Sequence, residues 1–248
     1  MPLPNWLTLA VPSRGRSKTF SPLVERLSNL KVFVDEREAE SYARFGDRLV
    51  LHPGLKTISA IRQFMLDRIE TDCVVMMDDD LIGVAPLVGV SRKPIRRADE
   101  VERVILSLAL CARDSDAKAF GWNRNANPGF MRMHDPFHLV APLAGAFGII
   151  GRDIRFDTAL IHGQDVDFTL KQILENRIVL ADLRYYFDFG PVGGGTGGLQ
   201  DVRTRERIMD NIATLERRWG KYLELSGKQA GFHGAGTKNF CMRIRVPR

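Results

Sequence analysis

Two groups of carboxylates stand out by their spacing. Asp78, Asp79 and Asp80 follow directly on the apolar run Cys73-Val74-Val75-Met76-Met77. A continuously apolar run of this length predicts a central strand covered on both faces. Three acids at the end of such a strand repel one another unless a positive partner joins them. Hard divalent cations prefer carboxylate oxygens, so a metal carrying a phosphate ligand is one answer, and a solvated acidic turn is the other. The second group is Asp165 and Asp167, where a loop turns into a helix. A carboxylate there either serves the helix N-terminus, which attracts negative charge, or acts as a general base on an acceptor hydroxyl. A base of that kind needs a separate donor site whose leaving diphosphate is neutralised by metal. The two groups together, in this order, supply both halves.

The elements around them alternate. Residues 6–11 predict a strand that ends in Pro12-Ser13-Arg14-Gly15-Arg16, followed by a helix from Ser17 to about residue 27. That order places Arg14 and Arg16 beside a helix N-terminus, where phosphate binds readily; the alternative is a surface turn with solvated arginines. Residues 31–34 and 48–51 predict two further strands, with a helical stretch over 38–45 between them. Residues 57–69 carry apolar positions at helical spacing, with Thr57 as cap and Arg62 on the helix. Strand and helix alternate at the spacing of βαβ units, giving an α/β fold with a mostly parallel central sheet flanked by helices. A helix is expected over 99–113, a strand running into a polar loop over 119–127, strands over 130–140, 145–150 and 179–189, and a long C-terminal helix over 201–225. One domain is expected over 1–248, divided at about residues 82 and 200, with the helix and tail last.

A chain of 248 residues with 44% hydrophobic and 27% charged residues is ordinary for a soluble globular protein. No apolar run approaches the roughly 20 residues that span a bilayer, and the N-terminus lacks a secretory pattern. Cys73, Cys111 and Cys241 are few and far apart. They predict reduced thiols in the cytoplasm rather than a disulfide framework or zinc cluster. A net charge of +6 favours anionic partners without dictating fold. Basic residues gather at 91–97, at Arg203, Arg205 and Arg207, and at Arg217, Arg218 and Lys221. These predict either a phosphate-tracking surface or solvated helix faces. Trp122, with Asn123, Arg124 and Asn125, offers either a stacking platform or an interior tryptophan.

The succession Val11-Pro12-Ser13-Arg14-Gly15-Arg16, Met77-Asp78-Asp79-Asp80 and His162-Gly163-Gln164-Asp165-Val166-Asp167-Phe168 resembles the GT-A glycosyltransferases. More narrowly, with the glycine-rich 193–198 and its following helix, it is similar to the phage TET-associated glycosyltransferases, which act on hydroxymethylated pyrimidines in DNA. The resemblance implies a nucleotide-sugar donor, UDP-sugar first, with Mn²⁺ or Mg²⁺. It implies that Pro12, Ser13, Arg14, Arg16 and Arg62 line the nucleotide pocket. Asp78 would lie near ribose, Asp80 would ligate the metal, and Asp79 would serve either role or neither. Asp165 would be the base with Asp167 in support, and His233 would complete the metal site. His162 is a rival acceptor contact and Asp188 a rival ligand. Gln164 stands where the family often has Glu, which leaves the stereochemical course open. The expected acceptor is 5-hydroxymethylcytosine in phage DNA. The alternatives are a glycan or protein acceptor, or a sugar-phosphate nucleotidyltransferase; a non-catalytic DNA-binding module is a further rival.

Overall fold

The structure is a computed structural model that describes residues 2–88, 93–128, 134–189 and 204–223. Among the described residues nine strands form one sheet: β1 (Leu7–Ser13), β2 (Leu30–Asp35), β3 (Leu49–His52), β4 (Cys73–Met76), β5 (Gly83–Pro86), β6 (Ala119–Asn123), β7 (Phe137–His138), β8 (Phe147–Ile150) and β9 (Val179–Asp188). Their order is β3-β2-β1-β4-β8-β6-β9-β5, with β7 paired to β9. The helices are α1 (Pro22–Glu25), α2 (Ile58–Arg68), α3 (Ala98–Asp114), α4 (Gln164–Asn176) and α5 (Arg205–Trp219). Among the described residues, no helix is long and apolar enough to cross a membrane.

The central sheet is present but mixed, parallel over β1 to β4 and with antiparallel pairings beyond. Strands β1 to β4 are mutually parallel, β8 runs against both β4 and β6, and β9 runs with β6. The C-terminal ends of β1, β4, β6 and β9 and the start of β8 therefore share one edge. Every residue of β4 is buried, and its side chains alternate between two cores. Cys73 and Val75 join the core beneath α1 and α3, whereas Val74 and Met76 join the core beneath α2 and α4. This is why the strand is apolar without alternation: each face has its own helical layer. Burial also pushes the Cys73 thiol up to about 12, so it is neither nucleophile nor ligand near neutral pH.

Local chemistry corrects several sequence-based expectations. The helix predicted from Ser17 is split. A short 3-10 turn covers Ser17–Thr19, and α1 begins anew at Pro22, where Ser21 Oγ accepts from the amides of Leu23 and Val24. Proline cannot continue the ladder but suits a first turn, so the cap is Ser21 and not Ser17. Of the strand expected over 130–140, residues 129–133 lie outside the described residues and Phe137–His138 is extended against β9. Thr57 caps α2 as expected, its side chain accepting from the Ala60 amide. Helix α5 buries Ile208, Ile212 and Leu215 at helical spacing. Leu215 is wholly buried, which stabilises the fold by about 2 kcal/mol.

Candidate active site

The shared sheet edge collects the predicted residues. Ala10 lies opposite Met76 in the parallel register, so Pro12 and Ser13 run on beside Met77, Asp78 and Asp79. The three acids then differ in burial. Asp79 is 3% exposed, while Asp78 and Asp80 on either side are half-buried. The Asp79 carboxylate is already engaged: Ser13 Oγ donates to one oxygen, and Arg16 Nη1 donates to the other at 2.9 Å. Tyr42 OH lies 2.7 Å from Ser13 Oγ and accepts from the Arg16 amide at 3.0 Å, which fixes the turn between β1 and α1. The middle acid is thus a structural anchor that ties β1 to β4.

Arg16 Nη1 also reaches Asp80 Oδ2 at 2.8 Å. Burial works against the Arg16 charge, yet its bonds to Asp79 and Asp80 hold its pKa above the usual value. Asp80 is different. Burial first, and then the neighbouring Asp78 charge, push its carboxyl above the ordinary range, against the pull of Arg16. Its Oδ1 is buried with no hydrogen-bond partner. An orphaned carboxylate oxygen beside a second acid is the donor set that a divalent cation satisfies, so the residues fit the metal the fold implies. Among the described residues, no group of three His, Cys, Asp or Glu side chains converges as a metal cluster. Asp188 pairs in register with Gly83, and Ile82 N donates to its carbonyl at 2.7 Å, so its backbone lies two residues beyond the acids. His233 and the glycine-rich 193–198 lie outside the described residues.

Asp165 comes to the same edge by another route. It is the second residue of α4, whose N-cap is Gly163 with φ of 70° and no side-chain capping bond. Asp165 is therefore not a cap. Its side chain is 24% exposed, with Arg124 Nη2 at 4.0 Å on the loop after β6. Thr169 Oγ1 donates to the Asp165 carbonyl at 2.7 Å and accepts from Leu143 N at 3.1 Å. Leu143 leads into β8, whose Phe147 lies opposite Met76. Stacked Phe156 and Phe168, with centroids 4.6 Å apart, pack α4 against Phe147. Arg62 is 6% exposed and lies 5.0 Å over the Phe147 ring, a buttress beneath the edge.

Asp167 faces inward. It is 1% exposed and accepts from Arg218 Nη1 at 2.5 Å, Trp219 Nε1 at 2.9 Å and Lys171 Nζ at 2.8 Å. The second Arg218 nitrogen reaches Asp157 at 2.8 Å. Arg218 is thus spent on two carboxylates rather than presented to phosphate, because a planar guanidinium bridges two acids as an ammonium cannot. Arg203 and the Arg205 side chain lie outside what is described. Trp122 is interior: it is 2% exposed and packs on Phe187 at 4.4 Å. Sequence reading missed Tyr42 and Asn211. Asn211 Oδ1 accepts from the amides of Ile161 and His162 at 2.7 and 3.0 Å. No motif marks either residue, since each acts through a distant backbone.

The chain has a fold of the GT-A type. Solved structures agree on the fold. A mycobacterial protein superposes with a TM-score of 0.52 at 11% identity, covering 96% of this chain and 83% of that one. Glucosyl-3-phosphoglycerate synthase from Mycobacterium tuberculosis superposes with a TM-score of 0.50 in each of two complexes. The complex with phosphoglyceric acid is 16% identical, over 86% of this chain and 80% of that one. The complex with Mg²⁺ and uridine diphosphate is 14% identical, over 86% and 79%. No protein-family model and no curated protein sequence matches the chain.

Proposed function

We propose that the protein is a metal-dependent glycosyltransferase that moves a sugar from a nucleotide-sugar to a hydroxyl acceptor, with 5-hydroxymethylcytosine in phage DNA as the acceptor. One observation carries the catalytic reading. The acid trio splits into a buried, paired Asp79 and an Asp80 whose buried Oδ1 has no protein partner. Asp80 and Asp78 would hold the cation, and His233 remains the candidate for a further ligand. When bound, a divalent ion neutralises the departing diphosphate. Mg²⁺ and uridine diphosphate bound to the fold neighbour make a UDP-sugar the donor of choice.

The chain's own residues do the rest. Ser13 and Arg16 hold Asp79, which sets the turn that presents Asp78 and Asp80. Pro12 and Arg14 flank the nucleotide side of that turn, and Asp78 faces ribose. Asp165 takes the proton from the acceptor hydroxyl as its oxygen attacks the anomeric carbon. Asp167, buried and triply bonded, positions Asp165 and does not itself react. The nucleotide half is β1 to β4 and the acceptor half β5 to β9.

Support for DNA comes from charge next to the acids. A cavity of 420 Å³ is lined by Asp80, Ile82, Arg26 and Arg96, and a second of 710 Å³ shares Arg26 and Arg96 and adds Arg97, which is paired with Asp99, and the acid Glu102. Arginines along a groove that starts at the metal acids suit a phosphodiester track. A second reading is a small phosphorylated hydroxy acid, the ligand class of the neighbour crystallised with phosphoglyceric acid. Arg124, 4.0 Å from Asp165, favours an anionic acceptor of either kind. The test is transfer of labelled sugar from UDP-glucose to hydroxymethylcytosine DNA, or to a phosphoglycerate, with Mn²⁺. Transfer to DNA is expected; transfer to the phosphoglycerate alone would move the acceptor to the second reading. Product formation only from a nucleoside triphosphate and a sugar phosphate would make the protein a nucleotidyltransferase.

A further inference from the structure

The segment that delivers Asp165 is gripped by two helices in succession. Helix α2 holds its first part: Gln63 accepts from Phe156 N at 2.9 Å, Thr57 Oγ1 donates to the Thr158 carbonyl at 2.9 Å, and Ser59 Oγ donates to the Leu160 carbonyl. From Ile161 onward the grip passes to α5. Asn211 Oδ1 takes the amides of Ile161 and His162, Leu215 covers Gly163, and Arg218 joins Asp157 to Asp167. Gly163 has a left-handed φ of 70°, and a Cβ built there would lie 2.4 Å from Leu215 Cδ1. The turn that starts α4 is therefore shaped by α5 and by glycine's freedom, with no side-chain cap of its own.

This division has a chemical consequence. Asp165 stands two residues past Gly163, so a rotation at that glycine swings its carboxylate relative to the sheet edge. Reacting groups misplaced by about 1 Å can lose about 100-fold in rate. The donor acids have no such dependence, since Asp79 is anchored by residues at the end of β1 and the turn after it.

We infer that α5 is a brace for the reacting end of α4, with Asn211 and Arg218 as positioning residues that set where Asp165 stands; this rests on the reading of Asp165 as the base. The brace acts on acceptor activation and leaves donor binding alone. Asn211 supplies one acceptor atom to two backbone donors, and Arg218 neutralises two carboxylates on either side of the turn.

The experiment compares wild type with Asn211→Leu and Asn211→Asp. Turnover is read as UDP release from UDP-glucose in the presence of the hydroxyl acceptor that wild type uses, UDP affinity by calorimetry, and local order by amide hydrogen exchange. Asn211→Leu is expected to lower kcat by about 30- to 100-fold. The donor KM and UDP Kd should stay within about twofold. Exchange should quicken over residues 161–169 and stay unchanged in β1 and β4. Asn211→Asp keeps the acceptor oxygen and should recover most of kcat. Faster exchange at 161–169 with unchanged kcat would overturn the positioning role. Parallel loss of UDP affinity and of protection in β1 and β4 would reduce Asn211 to general stability. A wild type that turns over no nucleotide-sugar would instead overturn the glycosyltransferase reading, a distinguishable failure.

Discussion

The acids that follow β4 and the acids that start α4 solve the same electrostatic problem with different parts. Each buries one acid and leaves a neighbour reachable: Asp79 between Asp78 and Asp80, and Asp167 beside Asp165. Each buried acid is held by an arginine, Arg16 in one case and Arg218 in the other. Burying a carboxylate without a partner is strongly unfavourable, so the arginine is what permits the geometry. The two differ in where that arginine comes from. Arg16 lies on the turn leaving β1, hydrogen-bonded within the sheet's central strands, whereas Arg218 comes from α5, beyond the last strand. The arrangement after β4 is therefore intrinsic to the sheet, and the one at the start of α4 is conditional on a helix added to it.

The comparison can be broken most sharply at the accessible acids. Asp165→Asn should lower sugar transfer by about 10²- to 10⁴-fold while calorimetric UDP affinity with Mn²⁺ is retained. Asp80→Ala should instead remove metal-dependent UDP binding, and transfer with it; unchanged affinity would strike Asp80 from the metal site. Next come the buried pairs. Arg16→Ala strands Asp79, which is 4% exposed at its side chain, and should destabilise by about 3–5 kcal/mol in urea unfolding. A loss below about 1 kcal/mol would mean Ser13 alone satisfies that acid.

Arg218→Ala should cost about 2 kcal/mol at pH 7, less than Arg16→Ala because its side chain is 34% exposed. Part of that difference depends on pH. Burial is the largest single effect and opposes ionisation of Asp157, but the Arg218 hydrogen bond, the Ala159 amide and the nearby positive charges together hold the carboxyl below its ordinary value. A depressed carboxylate stabilises the fold above its unfolded pKa, near 3.9, and that contribution fades as pH falls through the folded value. The gap between wild type and Arg218→Ala should therefore narrow in acid. A constant gap down to about pH 3 would take Asp157 out of the account. The smallest effect concerns Trp122, whose buried Nε1 has no hydrogen-bond partner. Trp122→Phe removes that orphan donor together with some packing, so stability should change by less than about 1.5 kcal/mol. DNA affinity should not change, because the ring is interior.

Much of the fold was legible in sequence because its signals are local. The apolar run 73–77 reads as a doubly covered strand, Thr57 reads as a cap, and the β–α alternation reads as a parallel sheet; each rests on neighbours within a few residues. The break at Pro22 was equally local and still misjudged, because Ser17 and Ser21 both qualify as caps and only the proline's ring decides between them. The acids were legible as groups but not as individuals. Which of Asp78, Asp79 and Asp80 turns inward depends on where Ser13 and Arg16 stand, more than sixty residues away.

The sequence by itself determined the α/β class, the two acidic groups and their order along the chain, because residue type and short-range periodicity carry that information. Only the tertiary structure decided that Asp79 and Asp167 are anchors, that Arg218 faces carboxylates rather than phosphate, that Trp122 is core, and that α5 shapes the start of α4. Each of those outcomes is set by desolvation and by partners distant in the chain. No local pattern encodes which of two neighbouring carboxylates a remote arginine will reach.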